Sequence, residues 1–279
     1  MVVEPIRILH CSFGFFRNKG SGMPPLFKDN LDATIANNPN WRVVTWQPAQ
    51  CRSLVATRYP DLLPIYDGFP YGVQRSDLSR YAILHAYGGM YADLDYVWTT
   101  SLDKAVGAMI EKHPGSGVLL NGTPNRIGWG TTNSLMVALE KEHPYWLAMM
   151  KAVKDSKPHK WSTRHMVIMS TTGPTLLTNV ARRYMSSGTP AEKAKPISSL
   201  SNDTYNPCGL CANASCRHKS GVMGYHDNAS SWTSASSRFF QGVLCSWVII
   251  LIVLIALIVF VVTVTLLALK LRKCKSSRL

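Results

Sequence analysis

The sequence predicts an α/β fold followed by one membrane-spanning helix, and three observations carry that expectation. Short apolar runs bounded by turn residues alternate with stretches of helical spacing, the pattern of a sheet with mainly parallel strands. A Gly-Gly pair joins one helical stretch directly to an apolar run that ends in two aspartates. From Trp247 to Leu269 the chain reads WVIILIVLIALIVFVVTVTLLAL, without a charge.

The elements follow in order. Ile6 to Leu9 is a short apolar run that reads as a buried first strand, with a loop from Gly14 to Pro25 behind it. Leu26 to Ala36 has helical spacing, and Arg42 to Trp46 reads as a second strand. Ser76 is placed to cap a helix over Asp77 to Tyr87, which Gly88-Gly89 would end. Met90 to Tyr96 then reads as one strand leaving the Gly pair. Gly117 to Leu120 and Met166 to Met169 are further strand candidates, with helices around Tyr145 to Lys154 and Pro174 to Met185. Residues 186–221, rich in Ser, Gly, Pro, Lys and Cys, read as an irregular Cys-containing insertion. No internal repeat is present.

Composition separates these parts. The 279 residues carry a net charge of +14, of which +9 lies on the first 242 residues and +5 on Lys270, Arg272, Lys273, Lys275 and Arg278. Every Asp and Glu precedes residue 243. The apolar fraction of 46% excludes wholesale disorder, and the uncharged run excludes a simple soluble enzyme. Twenty-three residues from Trp247 to Leu269 make roughly 35 Å of helix, against about 30 Å of bilayer hydrocarbon. The expected organisation is one domain over 1–242, a transmembrane helix over 243–269 and a basic tail over 270–279. Cys274 among basic residues offers a weak palmitoylation signal. The basic tail favours a cytoplasmic tip and a luminal domain. MVVEPIRILH has no apolar run to serve as a signal peptide, which points the other way and leaves orientation open.

Ser76 to Tyr96, SDLSRYAILHAYGGMYADLDY, is the most informative stretch. In a strand, Asp93 and Asp95 would point to one side, where two like charges repel unless a divalent cation and its phosphate ligands join them. Strand ends are also where open α/β sheets hold their ligands. Asp77 and Arg80 are three residues apart and share a helix face that the Gly-Gly turn can bring beside the pair. A lone D-x-D carries little information.

The full constellation, D-x-x-R-Y-x-x-L followed by G-G-x-Y-x-D-x-D, resembles the signature of the DXD-containing sugar transferases of glycosyltransferase family 32. Pro5 to His10, NPNW with VVTW, Asn133 to Met136, His143-Pro144, Thr172-Gly173-Pro174 and His226 to Trp232 resemble further family segments in order. Cys11 departs from the family's usual Gln, and the cysteine-bearing insertion has no match. The resemblance covers about residues 5 to 232 and implies a GT-A-type, Rossmann-like nucleotide-sugar transferase domain.

Carried over by position, it implies Asp95 as a direct ligand of Mn²⁺ or Mg²⁺, with Asp93 holding ribose and donor sugar and reaching the metal through water. Asp77 and Arg80 would bind donor-sugar hydroxyls, Tyr91 would pack beside the nucleotide, and Asn133 would face the sugar near the reacting centre. Ser230 or Ser231 with Trp232 would close over the diphosphate, and His226 would complete the metal shell, unless it is an ordinary loop histidine. The implied reaction is retaining hexosyl transfer from a sugar nucleotide, with transfer of mannose from GDP-mannose to inositol phosphorylceramide as the best specific reading. A protein-linked glycan acceptor and a non-catalytic membrane-anchored subunit are the alternatives, and Golgi or ER is the implied compartment. No residue stands out as a covalent nucleophile.

The remaining features are less specific. The surplus of +9 suits a diphosphate donor and an anionic lipid or phosphorylated acceptor, and no basic-aromatic motif points to nucleic acid. Cys208, Cys211 and Cys216 with His218 admit a disulfide, a zinc site or free thiols. Asn121, Asn202, Asn213 and Asn228 each open an N-x-S/T sequon, and a glycan on Asn228 would obstruct the donor-closing segment.

Overall fold

The structure, a computed structural model, describes residues 4–15, 22–123, 130–208, 214–227, 245 and 247–276. The chain divides into two compact units, Met1–Trp232 and Thr233–Leu279.

The first unit is α/β. Its strands are β1 (Ile8–Ser12), β2 (Arg42–Trp46), β3 (Gly89–Ala92), β4 (Tyr96–Trp98), β5 (Val118–Gly122), β6 (Thr131–Ala138), β7 (Ile197–Leu200) and β8 (Gly224–His226). Its helices are α1 (Pro25–Ala36), α2 (Pro48–Arg58), α3 (Leu63–Gly68), α4 (Gly72–Tyr87), α5 (Leu102–Lys112), α6 (Pro144–Asp155), α7 (Arg164–Thr171), α8 (Pro174–Ser187), α9 (Pro190–Lys193) and α10 (Asn202–Tyr205). Six strands form one sheet in the order β2-β1-β3-β6-β5-β7, and β4 pairs with β8 in a separate ribbon.

The main sheet is mainly parallel, as expected: β2, β1, β3, β5 and β7 run in one direction and β6 is reversed. β6 runs antiparallel to both β3 and β5. The link from Gly122 to Thr131 is too short for the crossover that a parallel pair needs. Helix α4 is buried along almost its whole length and packs among the apolar side chains of α2 and α6. Gly88 and Gly89 turn it into β3 with φ of 66° and 83°. A Cβ on Gly89 would lie 2.4 Å from the Ile8 carbonyl oxygen, so the pairing of β3 with β1 requires glycine there.

Four local expectations are corrected. Helix α4 begins at Gly72, so Ser76 is an interior residue whose hydroxyl meets Ser12 and Arg80 instead of capping the helix. Met166 to Met169 lies in α7, capped by the Thr163 hydroxyl that accepts from the Met166 amide; four apolar residues do not distinguish strand from helix. The strand expected over Met90 to Tyr96 breaks after Ala92. The Tyr96 amide donates to the Asp93 carbonyl at 2.9 Å, so the aspartates flank a tight turn. Within residues 186–221, Ile197–Leu200 is a regular sheet strand paired in parallel with β5, because Ile197 and Leu200 bury against the core.

Cys208 and Cys216 form a disulfide, which removes both from any zinc site; Cys211, Asn213 and Asn228 lie outside the described residues.

The second unit contains α11 (Trp247–Ser276). Its Ile250–Leu267 stretch has a mean hydropathy of 3.4 and is unburied, so the helix is long and apolar enough to cross a membrane.

Candidate active site

The site is built at the end of β3. Asn30 of α1 donates from its amide to the carbonyls of Leu94 and Tyr96, each at 2.8 Å, and pins the turn that presents Asp93 and Asp95. The Asp93 amide donates to the Ser134 carbonyl at 2.9 Å, tying the turn to β6. β4 leaves the turn and pairs antiparallel with β8, with Tyr96 opposite His226. That register carries the imidazole to the acidic pair. His226 Nε2 lies 3.1 Å from Asp95 Oδ1 and 3.8 Å from Asp93 Oδ2, and ligating atoms of all three residues fall within 4.8 Å of one another. Two carboxylate oxygens and one imidazole nitrogen are a donor set for a divalent cation.

The next residue is held too. The Asp227 amide donates to the Asp95 carbonyl at 2.8 Å, and the Asp227 carboxylate pairs with Arg217. Arg217 lies in the turn Ala214–His218 that the Cys208–Cys216 disulfide ties down.

Beside the cluster lies a buried polar network on α4. Arg80 is buried and bridges two carboxylates: Nη2 is 3.2 Å from Asp77 Oδ1 and Nη1 is 3.3 Å from Asp93 Oδ1. Nη1 also donates to the Asn133 carbonyl at 2.7 Å. Its guanidinium lies 4.7 Å from the centre of the Tyr91 ring. Asp77 accepts from Asn133 Nδ2 at 2.9 Å and from the Thr172 hydroxyl at 2.8 Å. Tyr91 is fully buried, and its hydroxyl bonds the Ser12 hydroxyl at 2.6 Å.

These contacts set the electrostatics. Burial pushes the Asp77 carboxyl up to about 6, against the pull of Arg80 and the Thr172 hydroxyl. Burial also raises Asp93; Arg80 draws it back down, while Asp95, its like-charged neighbour, raises it further. Arg80 is the counter-charge that both carboxylates share, and Asn133 and the Thr172 hydroxyl replace further water around Asp77.

Asp77, Arg80, Tyr91, Asp93 and Asn133 thus share one network, and His226 links Asp95 to it through Asp93. Ser230, Ser231 and Trp232 lie outside the described residues. Sequence reasoning missed Asn30, Ser12, Ser76 and Thr172 as site residues. Of these only Thr172 carried a signal, through Thr172-Gly173-Pro174.

Residues 24–112 match the family described as the glycosyltransferase sugar-binding region containing the DXD motif. Over those residues the chain is similar to that family. The match spans α1 through α5 and includes both aspartates of the turn. Inositol phosphoceramide mannosyltransferase 2 of Schizosaccharomyces pombe is 26% identical over 65% of this chain and 48% of its own length. Mannosyl phosphorylinositol ceramide synthase SUR1 of Saccharomyces cerevisiae is 26% identical over 64% of this chain and 42% of its own length. Initiation-specific alpha-1,6-mannosyltransferase of Candida albicans is 24% identical over 53% and 45%. The chain therefore spans about half or less of the length of these three relatives. Among solved structures, PaToxG glycosyltransferase aligns at 13% identity over 64% of this chain and 70% of that one, with a TM-score of 0.47. Mouse xyloside xylosyltransferase 1 aligns at 12% identity over 81% and 98%, with a TM-score of 0.42.

Proposed function

We propose that this chain carries the catalytic domain of a membrane-anchored, GT-A-type retaining hexosyltransferase that uses Mn²⁺ or Mg²⁺ and a sugar nucleotide. The reading extends to mannose transfer from GDP-mannose to inositol phosphorylceramide. The observation that carries it is the convergence of Asp93, Asp95 and His226 beside the Arg80-linked Asp77 and Asn133. The yeast relatives support mannose and an inositol-phosphoceramide acceptor through their names, and the basic surplus on the first 242 residues suits two phosphorylated substrates.

Asp95 and His226 would hold the cation directly, with Asp93 alongside. When bound, the cation supplies charge neutralisation for the departing diphosphate. The chain's own groups do the rest. Asp77 spends three acceptor sites on Arg80, Asn133 and Thr172, which fixes its orientation and leaves acceptor capacity for a donor-sugar hydroxyl. Arg80 holds Asp77 and Asp93 in place, and Tyr91 backs its guanidinium. Positive charge growing at the anomeric carbon is favoured by these fixed carboxylates.

Placement in the Golgi or ER membrane with a luminal domain is supported by the basic tail and by the Cys208–Cys216 disulfide, which belongs to an oxidising compartment. The deciding experiment offers the detergent-solubilised chain a panel of sugar nucleotides with lipid and glycan acceptors and reads products by mass spectrometry. A mannosylated inositol phosphorylceramide is the expected product. Transfer only to glycans, or no transfer from any sugar nucleotide, overturns the reading.

A further inference from the structure

The segment between α6 and α7 presents a side chain the proposed catalytic network does not use. Trp161 is 80% exposed, more than any other described large apolar side chain of the first unit, and Met166 nearby is 54% exposed. A turn makes this possible. The Ser162 amide donates to the His159 carbonyl at 2.9 Å, leaving Trp161 at the tip, with Lys160 Nζ 5.6 Å from the centre of its ring.

The charge along the segment has one sign. Ser156 to Thr171 contains Lys157, Lys160 and Arg164 and no acid; indeed no Asp or Glu occurs from Ser156 to Ala191. The nearest preceding acid, Asp155, is paired with Lys151. The segment also sits at the active-site end of the fold. Arg164 stacks over Tyr71, the residue that opens α4, at 5.0 Å. At the far end of α7, Thr171 bonds Gln74 and Thr172 bonds Asp77.

An exposed indole with Lys160 beside it, on a segment that also carries Lys157 and Arg164 and no acid, matches the polar and apolar layers of an anionic bilayer surface. The cations meet anionic headgroups and the amphipathic indole enters the interface, while a core or a neutral protein partner would leave the cations unpaired. A bilayer is also at hand, since the same chain carries α11, which is long and apolar enough to enter one. We propose that residues 157–166 form a membrane-surface contact in which Trp161 inserts among headgroups and Lys157, Lys160 and Arg164 pair with anionic lipid. This contact would hold the start of α4 and of α7 at a lipid surface. It deepens the lipid-acceptor reading, yet rests on the exposed turn and its charge, so the two can fail separately.

The test uses the full chain in nanodiscs of neutral phosphatidylcholine or of phosphatidylcholine with phosphatidylserine, and in detergent. Amide hydrogen exchange is read over 157–166. The expected result is roughly tenfold slower exchange on anionic discs than on neutral ones, weakened by salt, from three cations near a charged surface. Trp161→Ala and Lys160→Glu should each remove most of that protection while exchange in α4 stays unchanged, which controls for folding. Equal exchange on both discs overturns the proposal. So does protection that grows with protein concentration in detergent, which would report contact with a second copy of the chain. No sugar-transfer readout is involved, so an inactive preparation still decides the question.

Discussion

His226 reaches Asp95, 131 residues earlier in the chain, with Nε2 3.1 Å from Oδ1, because β8 pairs with β4 immediately beyond the acidic turn. The ribbon fixes the imidazole by backbone register, so the ring nitrogen is oriented before any cation binds. On this account His226→Ala should weaken Mn²⁺ binding by about tenfold or more, in line with losing one of a small set of ligands. Titration of the purified chain with Mn²⁺, followed by electron paramagnetic resonance, measures it. Unchanged affinity would remove His226 from the shell.

The Cys208–Cys216 disulfide supports that ribbon indirectly, through Arg217 and its ion pair with Asp227. Cys208→Ser with Cys216→Ser should therefore raise the Mn²⁺ concentration needed for half-saturation, while the helical circular dichroism signal is kept. The same titration on the double variant reads the shift. An unaltered curve would separate the disulfide from the site.

Arg80 is the only guanidinium shared by Asp77 and Asp93 among the described contacts, and it is buried. Arg80→Met leaves the buried Asp77 and the partly exposed Asp93 without the guanidinium they share and should destabilise the first unit by about 3 kcal/mol. Denaturant titration in detergent measures this. Asp77→Asn removes one of those charges and should cost less, because burial already raises the Asp77 carboxyl to about 6.

Acid sensitivity is expected from His10, which lies buried in β1. Its Nε2 donates to the Gly88 carbonyl at 3.0 Å, and its Nδ1 accepts from the Trp46 indole at 3.1 Å. Protonation would set an N–H against the indole N–H. Burial, with Arg42 adding to it, lowers His10 from 6.5 to about 4, despite the Gly88 bond. The neutral ring therefore stabilises the fold above pH 6.5, and this contribution is lost as pH falls from 6.5 toward 4. A His10→Gln variant should show a flatter stability curve between pH 7 and 5 than the parent, by chemical denaturation at each pH. Equal slopes would contradict the assignment.

Legibility in the sequence followed chain distance. Asp77, Arg80, Asp93 and the Gly pair lie within one helix-turn-strand unit, so spacing alone placed them together. The direction of β6 was not legible, since apolar alternation is the same in parallel and antiparallel strands and only the link to β5 decides it. Asn30, Ser12 and Ser76 act through tertiary contacts at separations of 64 residues, and a single Asn or Ser carries no local mark of such a role. The acidic turn itself was read as continuous strand because Leu94 is as apolar as a strand residue; it is buried, but in a turn.

The central claim is that Asp95 holds a cation on which sugar transfer depends. It is tested most directly by following transfer of radiolabelled mannose from GDP-mannose to inositol phosphorylceramide, with and without chelator, for the parent chain and Asp95→Asn. The account predicts transfer that stops with chelator and returns with Mn²⁺ or Mg²⁺, and a loss of about a hundredfold or more in Asp95→Asn with unchanged melting. Full transfer in excess chelator, or by Asp95→Asn, would contradict it.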